Sequence, residues 1–232
     1  MPWASLIPVI CVFTVVGICF LVRFRNNRRS PGTEKLLRSP GHSVSIELDE
    51  IQDNLSTLLI FLIFSPPFAL ALHSGKPIPN WGFIILAIGY GIVFYYFLKL
   101  LTKSSNYRLG LMGERAVGEE LNQLMLDGFR VFHDFPADGK WNIDHVLVGS
   151  QGVYIVETKA RRKQQGPAGH QDHVVIYNGQ TLKFPHCEDQ YGLQQASRNA
   201  HWLGNFLSSA TGEPVTVRPI LTFPGWYIEL QT

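Results

Sequence analysis

The chain has 232 residues and a formal net charge of +2, with 46% hydrophobic and only 16% charged residues. About a quarter of a soluble protein is charged, so the charge is low for a soluble chain, the deficit falling on the apolar first hundred residues, and a net charge this small does not by itself mark a nucleic-acid binder. Cys11, Cys19 and Cys187 form no CxxC pair, which leaves no disulfide framework or zinc knuckle and fits a reducing compartment.

Ser5 to Val22 is a run without charge, long enough to cross a bilayer as a helix. No basic residue precedes it and no A-x-A site follows, unlike a cleaved signal peptide. A second run, 56–72, contains Pro66-Pro67, and a third covers 81–98. The connector "HSGKPIPNW" makes the last two a helical hairpin. A buried or re-entrant helix is the alternative for 56–72, because a double proline removes helical hydrogen bonds. Arg23, Arg25, Arg28, Arg29, Lys35 and Arg38 follow the first run and Lys99, Lys103 and Arg108 the third, whereas the connector holds only Lys76. The excess of positive charge on the cytoplasmic side then predicts about three transmembrane helices in residues 1–103. The N-terminus lies outside, residues 23–55 form a cytoplasmic loop, and residues 104–232 form a domain inside a plasma or inner membrane. Within that loop, "SIELDEIQDNL" reads as a short amphipathic helix.

In the C-terminal half, apolar residues recur at three-to-four spacing from Leu111 to Leu126, predicting an amphipathic helix that stops at Asp127-Gly128. "FRVFHDF" is a strand and "PADGKWN" a polar turn. Ile143–Gly149 and Val153–Lys159 form a hairpin around Ser150-Gln151. A two-residue turn fixes the register, setting Val148 against Val153, Val146 against Ile155 and Asp144 against Glu157; a three-residue loop would shift it by one. Lys159 falls on the same face as the two acids, and His145 on the other. Opposed carboxylates repel. Protonation of one acid, neutralisation by Lys159, or a divalent cation would each relieve the cost. Magnesium is a hard ion that keeps several waters and bridges to phosphate, and a lysine beside it could orient water or stabilise phosphate charge. A strand end with an ordinary Glu–Lys ion pair has the same spacing.

Further on, "YNGQTLKF" predicts a small hairpin with an Asn-Gly turn, and 188–209 a helix. No P-loop, GxSxG or Rossmann glycine pattern occurs. "KARRKQQG" sets Lys159, Arg161, Arg162 and Lys163 beside the acidic hairpin, as a phosphate-facing patch or a solvated loop.

The order of "GLMGE", "IDHVLVGSQGVYIVETK" and "VRPILTFPG" resembles the NERD (nuclease-related domain) family of the PD-(D/E)xK phosphodiesterase superfamily, over roughly residues 107–225. The resemblance implies an α/β, restriction-endonuclease-like mixed sheet flanked by helices, with a helix-strand-strand-strand-helix-strand core. It implies that Asp144, Glu157 and the Thr158 carbonyl bind Mg2+ or Mn2+, with Lys159 as the catalytic lysine and Glu114 turned toward the same site. A family glutamine near the start of the next helix matches Gln194 or Gln195. Gln195 is favoured because Ala196, Leu203 and Leu207 need the buried face, although the usual "NP" lead-in is missing. The function so implied is a membrane-anchored, metal-dependent nuclease acting on nucleic acid, DNA foremost, at the cytoplasmic face. The alternatives are a catalytically silent module that binds nucleic acid or protein, and a small membrane sensor.

Overall fold

The computed structural model describes residues 37–73, 79–139, 141–163 and 173–231, together with Thr14 and Gly17, both helical. The rest of the expected span 5–22 lies outside the described residues. The chain forms two units, one containing Asp49–Ser105 and the other uniting Leu37–Leu48 with Asn106–Thr232.

In the first unit run most of α1 (His42–His73) and the first half of α2 (Asn80–Gln123). Two helical stretches, His42–Leu70 and Trp81–Asp127, are long and apolar enough to cross a membrane. Almost none of either apolar window is buried, and Ile84 and Tyr95 are 61% and 63% exposed, unlike the core helix of a soluble domain. The segment expected as a loop up to residue 55 is helical from His42 onward. Helix α1 also continues through Pro66 and Pro67. Pro66 has no N–H to give to the carbonyl four residues earlier. That carbonyl, on Leu62, accepts a hydrogen bond from the Tyr90 hydroxyl of α2 at 3.4 Å. The third apolar run and the helix expected from Leu111 are one element, because no proline separates them and Ser104, Ser105 and Gly110 only weaken helix propensity.

The second unit is a three-layer α/β structure. Its main sheet has the order β1 (Arg130–Ala137), β2 (Trp141–Gly149), β3 (Gly152–Thr158), β7 (Val217–Thr222). β1, β2 and β3 are antiparallel, and β7 runs parallel to β3. The expected polar turn is shorter than "PADGKWN", since Ala137 pairs with Trp141. Alternation along the strands feeds two cores. Ile143, Val146 and Ile155 pack with Ala196, Ala200 and Leu203 of α3 (Tyr191–Thr211) on one face. Val131, Leu147 and Val156 pack with Val117 and Leu121 of α2 on the other. α2 gives way to a 3-10 turn, Leu124–Asp127, and ends on Gly128 at φ 87°, a left-handed position that suits glycine.

A second sheet has the order β6 (Glu188–Asp189), β5 (Leu182–Lys183), β4 (Val174–Tyr177), β8 (Tyr227–Leu230). The β4–β5 hairpin turns at Asn178, whose Oδ1 accepts from the Gln180 and Thr181 amides at 3.0 and 2.8 Å. Glu188 and Asp189, expected at the start of a helix, are strand. Asp189 Oδ1 then accepts from the Tyr191 amide at 2.8 Å and so caps α3 from outside it.

One close approach joins helix to sheet at the end of β3. A Cβ on Gly113 of α2 would lie 2.6 Å from Ala160 Cβ, closer than two carbons can stand. Gly113→Val is therefore expected to lower stability by about 1–3 kcal/mol, as overpacking does, measured by denaturant unfolding of the full chain in detergent.

Candidate active site

The hairpin register is the one expected, with Val148 opposite Val153 and Val146 opposite Ile155. The ladder stops at His145 and Val156. Beyond it the Asp144 side chain replaces the backbone partner, and its Oδ2 accepts from the Thr158 amide at 2.7 Å. Across β1 and β2, Asp134, the position opposite Asp144, is skipped in the pairing and sits at φ 48°. The sheet thus opens around the two acids on the face that α3 covers.

Glu157 is 1% exposed. Buried carboxylates need donors, and three side chains supply them. Lys159 Nζ donates to Oε1 at 2.9 Å, Gln195 Nε2 donates to the same oxygen, and Asn199 Nδ2 donates to Oε2 at 3.0 Å. Gln195 Oε1 in turn accepts from Lys159 Nζ at 2.9 Å, closing a three-membered ring of contacts. Gly192 of α3, whose added Cβ would lie 3.1 Å from Leu221, lets the first turn of that helix approach β7.

Glu114 enters from α2 and is buried, whereas Glu119 and Glu120 are exposed. Burial, then repulsion from Asp134 and Glu157, raises its carboxyl from 4.5 to about 7, against the pull of Lys159. Asp144 is pushed well above its ordinary range by burial, then by Glu157 and Glu114. Asp134 belongs to the same acidic neighbourhood. Its Oδ2 takes Arg38 Nη1 at 2.9 Å and Ser43 Oγ at 2.7 Å, and Asn142 Nδ2 donates to Ser43 Oγ at 2.6 Å. The segment Leu37–Leu48 is therefore tied to β1.

The site is rich in carboxylates and held by few cations. Among the described residues, no three Asp, Glu, His or Cys side chains stand together as a metal-holding group. The donor chemistry nevertheless fits a hard divalent ion. Magnesium needs only one or two protein carboxylates, with waters and phosphate filling the rest. Burial, then mutual repulsion, raises Glu114 and Asp144, and the repulsive part is what such a charge relieves.

On the opposite face of β2, His133 Nδ1 lies 2.8 Å from His145 Nδ1, and His133 Nε2 lies 2.9 Å from Asn122 Oδ1. Burial lowers both imidazoles, His145 to about 3. His145 points away from the acids, as strand alternation requires.

A family model described as NERD, nuclease-related domain, matches residues 109–224, half of the chain. The chain belongs to the nuclease-related domain family. No curated protein and no solved structure matches it. The matched span of the NERD domain contains Glu114, Asp144, Glu157, Thr158, Lys159 and Gln195. The structure brings Glu157, Lys159 and Gln195 into direct contact, joins Asp144 to Thr158 through the backbone, and turns Glu114 toward the same acids; Gln194 is exposed. Thr158 is buried, and its Oγ1 has no hydrogen-bond partner. Of the basic cluster, Arg161 is paired with Asp189, while Arg162 and Lys163 are exposed.

Sequence reasoning missed Asn199 and Asp134. Asn199 lies four residues after Gln195, on the same face of a helix, and that spacing was the available signal. Asp134 reads as an ordinary polar strand residue, because its partners Arg38 and Ser43 are far away in the chain.

Two outcomes follow from this chemistry. Asn199→Leu deprives a buried carboxylate of a donor and is expected to cost roughly 1.5–3 kcal/mol in denaturant unfolding. Glu114 binds its proton more tightly folded than unfolded, so folding takes up a proton between pH 4.5 and about 7, and its contribution to stability falls as pH rises through that window. Asp144 acts in the same direction, and the two histidines in the opposite one. The comparison of wild type with Glu114→Gln isolates the first, and the variant should gain stability relative to wild type from pH 4.5 to 7.

Proposed function

We propose that the protein is a membrane-anchored, divalent-metal-dependent nuclease that hydrolyses phosphodiester bonds of nucleic acid at the cytoplasmic face. The observation that carries this reading is the Lys159–Glu157–Gln195 contact beside Asp144, set in a chain of the nuclease-related domain family. The chain order α2, β1, β2, β3, α3, β7 is the helix-strand-strand-strand-helix-strand order of a restriction-endonuclease-like core, with β4 to β6 between β3 and α3 and β8 after β7.

Asp144, Glu157 and the Thr158 carbonyl would hold Mg2+ or Mn2+. When bound, such an ion lowers the pKa of a coordinated water and neutralises phosphate charge. The chain's own groups do the rest. Lys159, 27% exposed at its side chain, holds an ammonium where a phosphate oxygen gains negative charge, a form of stabilisation that often dominates catalysis. Gln195 and Glu157 fix that ammonium in place, and Asn199 fixes Glu157. Glu114 titrates near neutrality and can take the proton released by the attacking water. The exposed Arg162 and Lys163 hold the backbone of the nucleic acid. The two apolar helices, with the run 5–22, form the anchor, and the charge asymmetry around them places the domain inside.

The test is cleavage by the full chain in detergent. Single-stranded, double-stranded and supercoiled DNA and RNA are offered with Mg2+, with Mn2+ and with chelator. Cleavage that needs the ion and falls by at least about 100-fold in Glu157→Ala and Lys159→Ala is the expected result. Millimolar Mg2+ should also raise the unfolding midpoint of wild type and leave Asp144→Asn unchanged. Undiminished binding of nucleic acid with no cleavage of any form would make the protein a silent binding module.

A further inference from the structure

A second feature begins one residue beyond Lys159. Ala160, Arg161 and Arg162 form one wall of a cleft of about 280 Å³, whose other walls include Phe184, Cys187 and Trp226. Arg161 follows Lys159 by two residues, about 7 Å of extended chain, so the cleft and the lysine lie on neighbouring stretches of backbone.

The walls are flat, aromatic and cationic, and they are locked. The Arg161 guanidinium lies 4.4 Å over the centre of the Phe184 ring and is paired with Asp189. Trp226 packs edge-on against Phe184 at 5.3 Å, and its Nε1 donates to the Arg161 carbonyl at 3.3 Å. Phe223 packs against the same ring at 5.2 Å. Arg162 and His186 lie at the exposed rim. A planar, anionic ligand fits this chemistry, because aromatic faces and guanidinium planes stack bases while basic groups take phosphate. The cleft is small, about 280 Å³.

We propose that this cleft binds a single unpaired nucleotide adjacent to the scissile phosphate, so that the substrate class is single-stranded nucleic acid or a duplex with an unpaired nucleotide at the cut. The proposal rests on the nuclease reading for its account of the neighbouring site. A base stacked and paired in a duplex cannot enter without being extruded, at a cost in unstacking.

Cys187 provides a reporter, since its thiol is free, exposed and part of the cleft wall. The full chain in detergent, with chelator present so that nothing is cut, is treated with iodoacetamide. Alkylation at Cys187 is followed by mass spectrometry with a mononucleotide, a single-stranded oligonucleotide, a blunt duplex of the same sequence, or inorganic phosphate. The single strand should slow alkylation by about tenfold or more, as one stacked base requires, and the duplex and phosphate should not. Protection by the mononucleotide as well identifies the base and its phosphate as sufficient. In the converse arm, prior alkylation with N-ethylmaleimide should weaken single-strand binding about tenfold and leave binding by Cys187→Ser unchanged. No protection by any strand, equal protection by duplex, or protection by mononucleotide alone would overturn the proposal. Protection without cleavage under any metal condition would instead remove the nuclease reading and leave the nucleotide cleft. Cleavage without protection would do the reverse.

Discussion

Glu157 is a carboxylate shut away from water in the middle of a sheet, and much of the second unit is arranged around keeping it there. Three donors reach it, two from α3 and one from Lys159, the residue just past the strand that carries it. For α3 to supply Gln195 and Asn199 on one face, the helix has to lie close on β3 and β7, which Gly192 and the small residues Ala196 and Ala200 permit. For Lys159 to turn back onto Glu157, β3 must end where it does. A hydrophobic residue at 157 would fold with less difficulty. A charge there is costly unless every contact is made, and the cost is accepted at the point where the sheet opens.

The opening has its own logic. Asp144 takes the Thr158 amide with its side chain, so β2 and β3 part without leaving that donor unsatisfied. Asp134, across from Asp144, leaves the ladder in the left-handed region and turns its carboxylate toward Arg38 and Ser43. Three of the four acids near the centre therefore have a named hydrogen-bond partner. Among the described residues Glu114 has none of that kind, and its carboxyl, raised like that of Asp144, is brought to about 7.

Local pattern made much of this legible. Alternation and a two-residue turn are enough to give the register of the hairpin and the shared face of Asp144, Glu157 and Lys159. The family resemblance, rather than periodicity, picks out Glu114, and the need of Ala196, Leu203 and Leu207 for the buried face selects Gln195 over Gln194. What escaped depends on contacts between distant segments or on weak local preferences. Asn199 sits where an apolar residue would be equally consistent with the pattern. Glu188 and Asp189 resemble a helix start, but pairing with Leu182 and Lys183 makes them strand, a case of tertiary contact overriding propensity. The run through Pro66 and Pro67 is helical as expected, but its start at His42 and the Tyr90 hydroxyl that serves the Leu62 carbonyl are not written in the local pattern.

The unit that carries the site is built from two stretches of chain, Leu37–Leu48 and Asn106–Thr232, with the apolar hairpin between them. Its short stretch is held by contacts of its own, namely Arg38 and Ser43 on Asp134, Pro40 over Gly118, and Gly41 against Leu111. A single nick in the connector between α1 and α2 would thus leave the site assembled from two fragments held by these contacts.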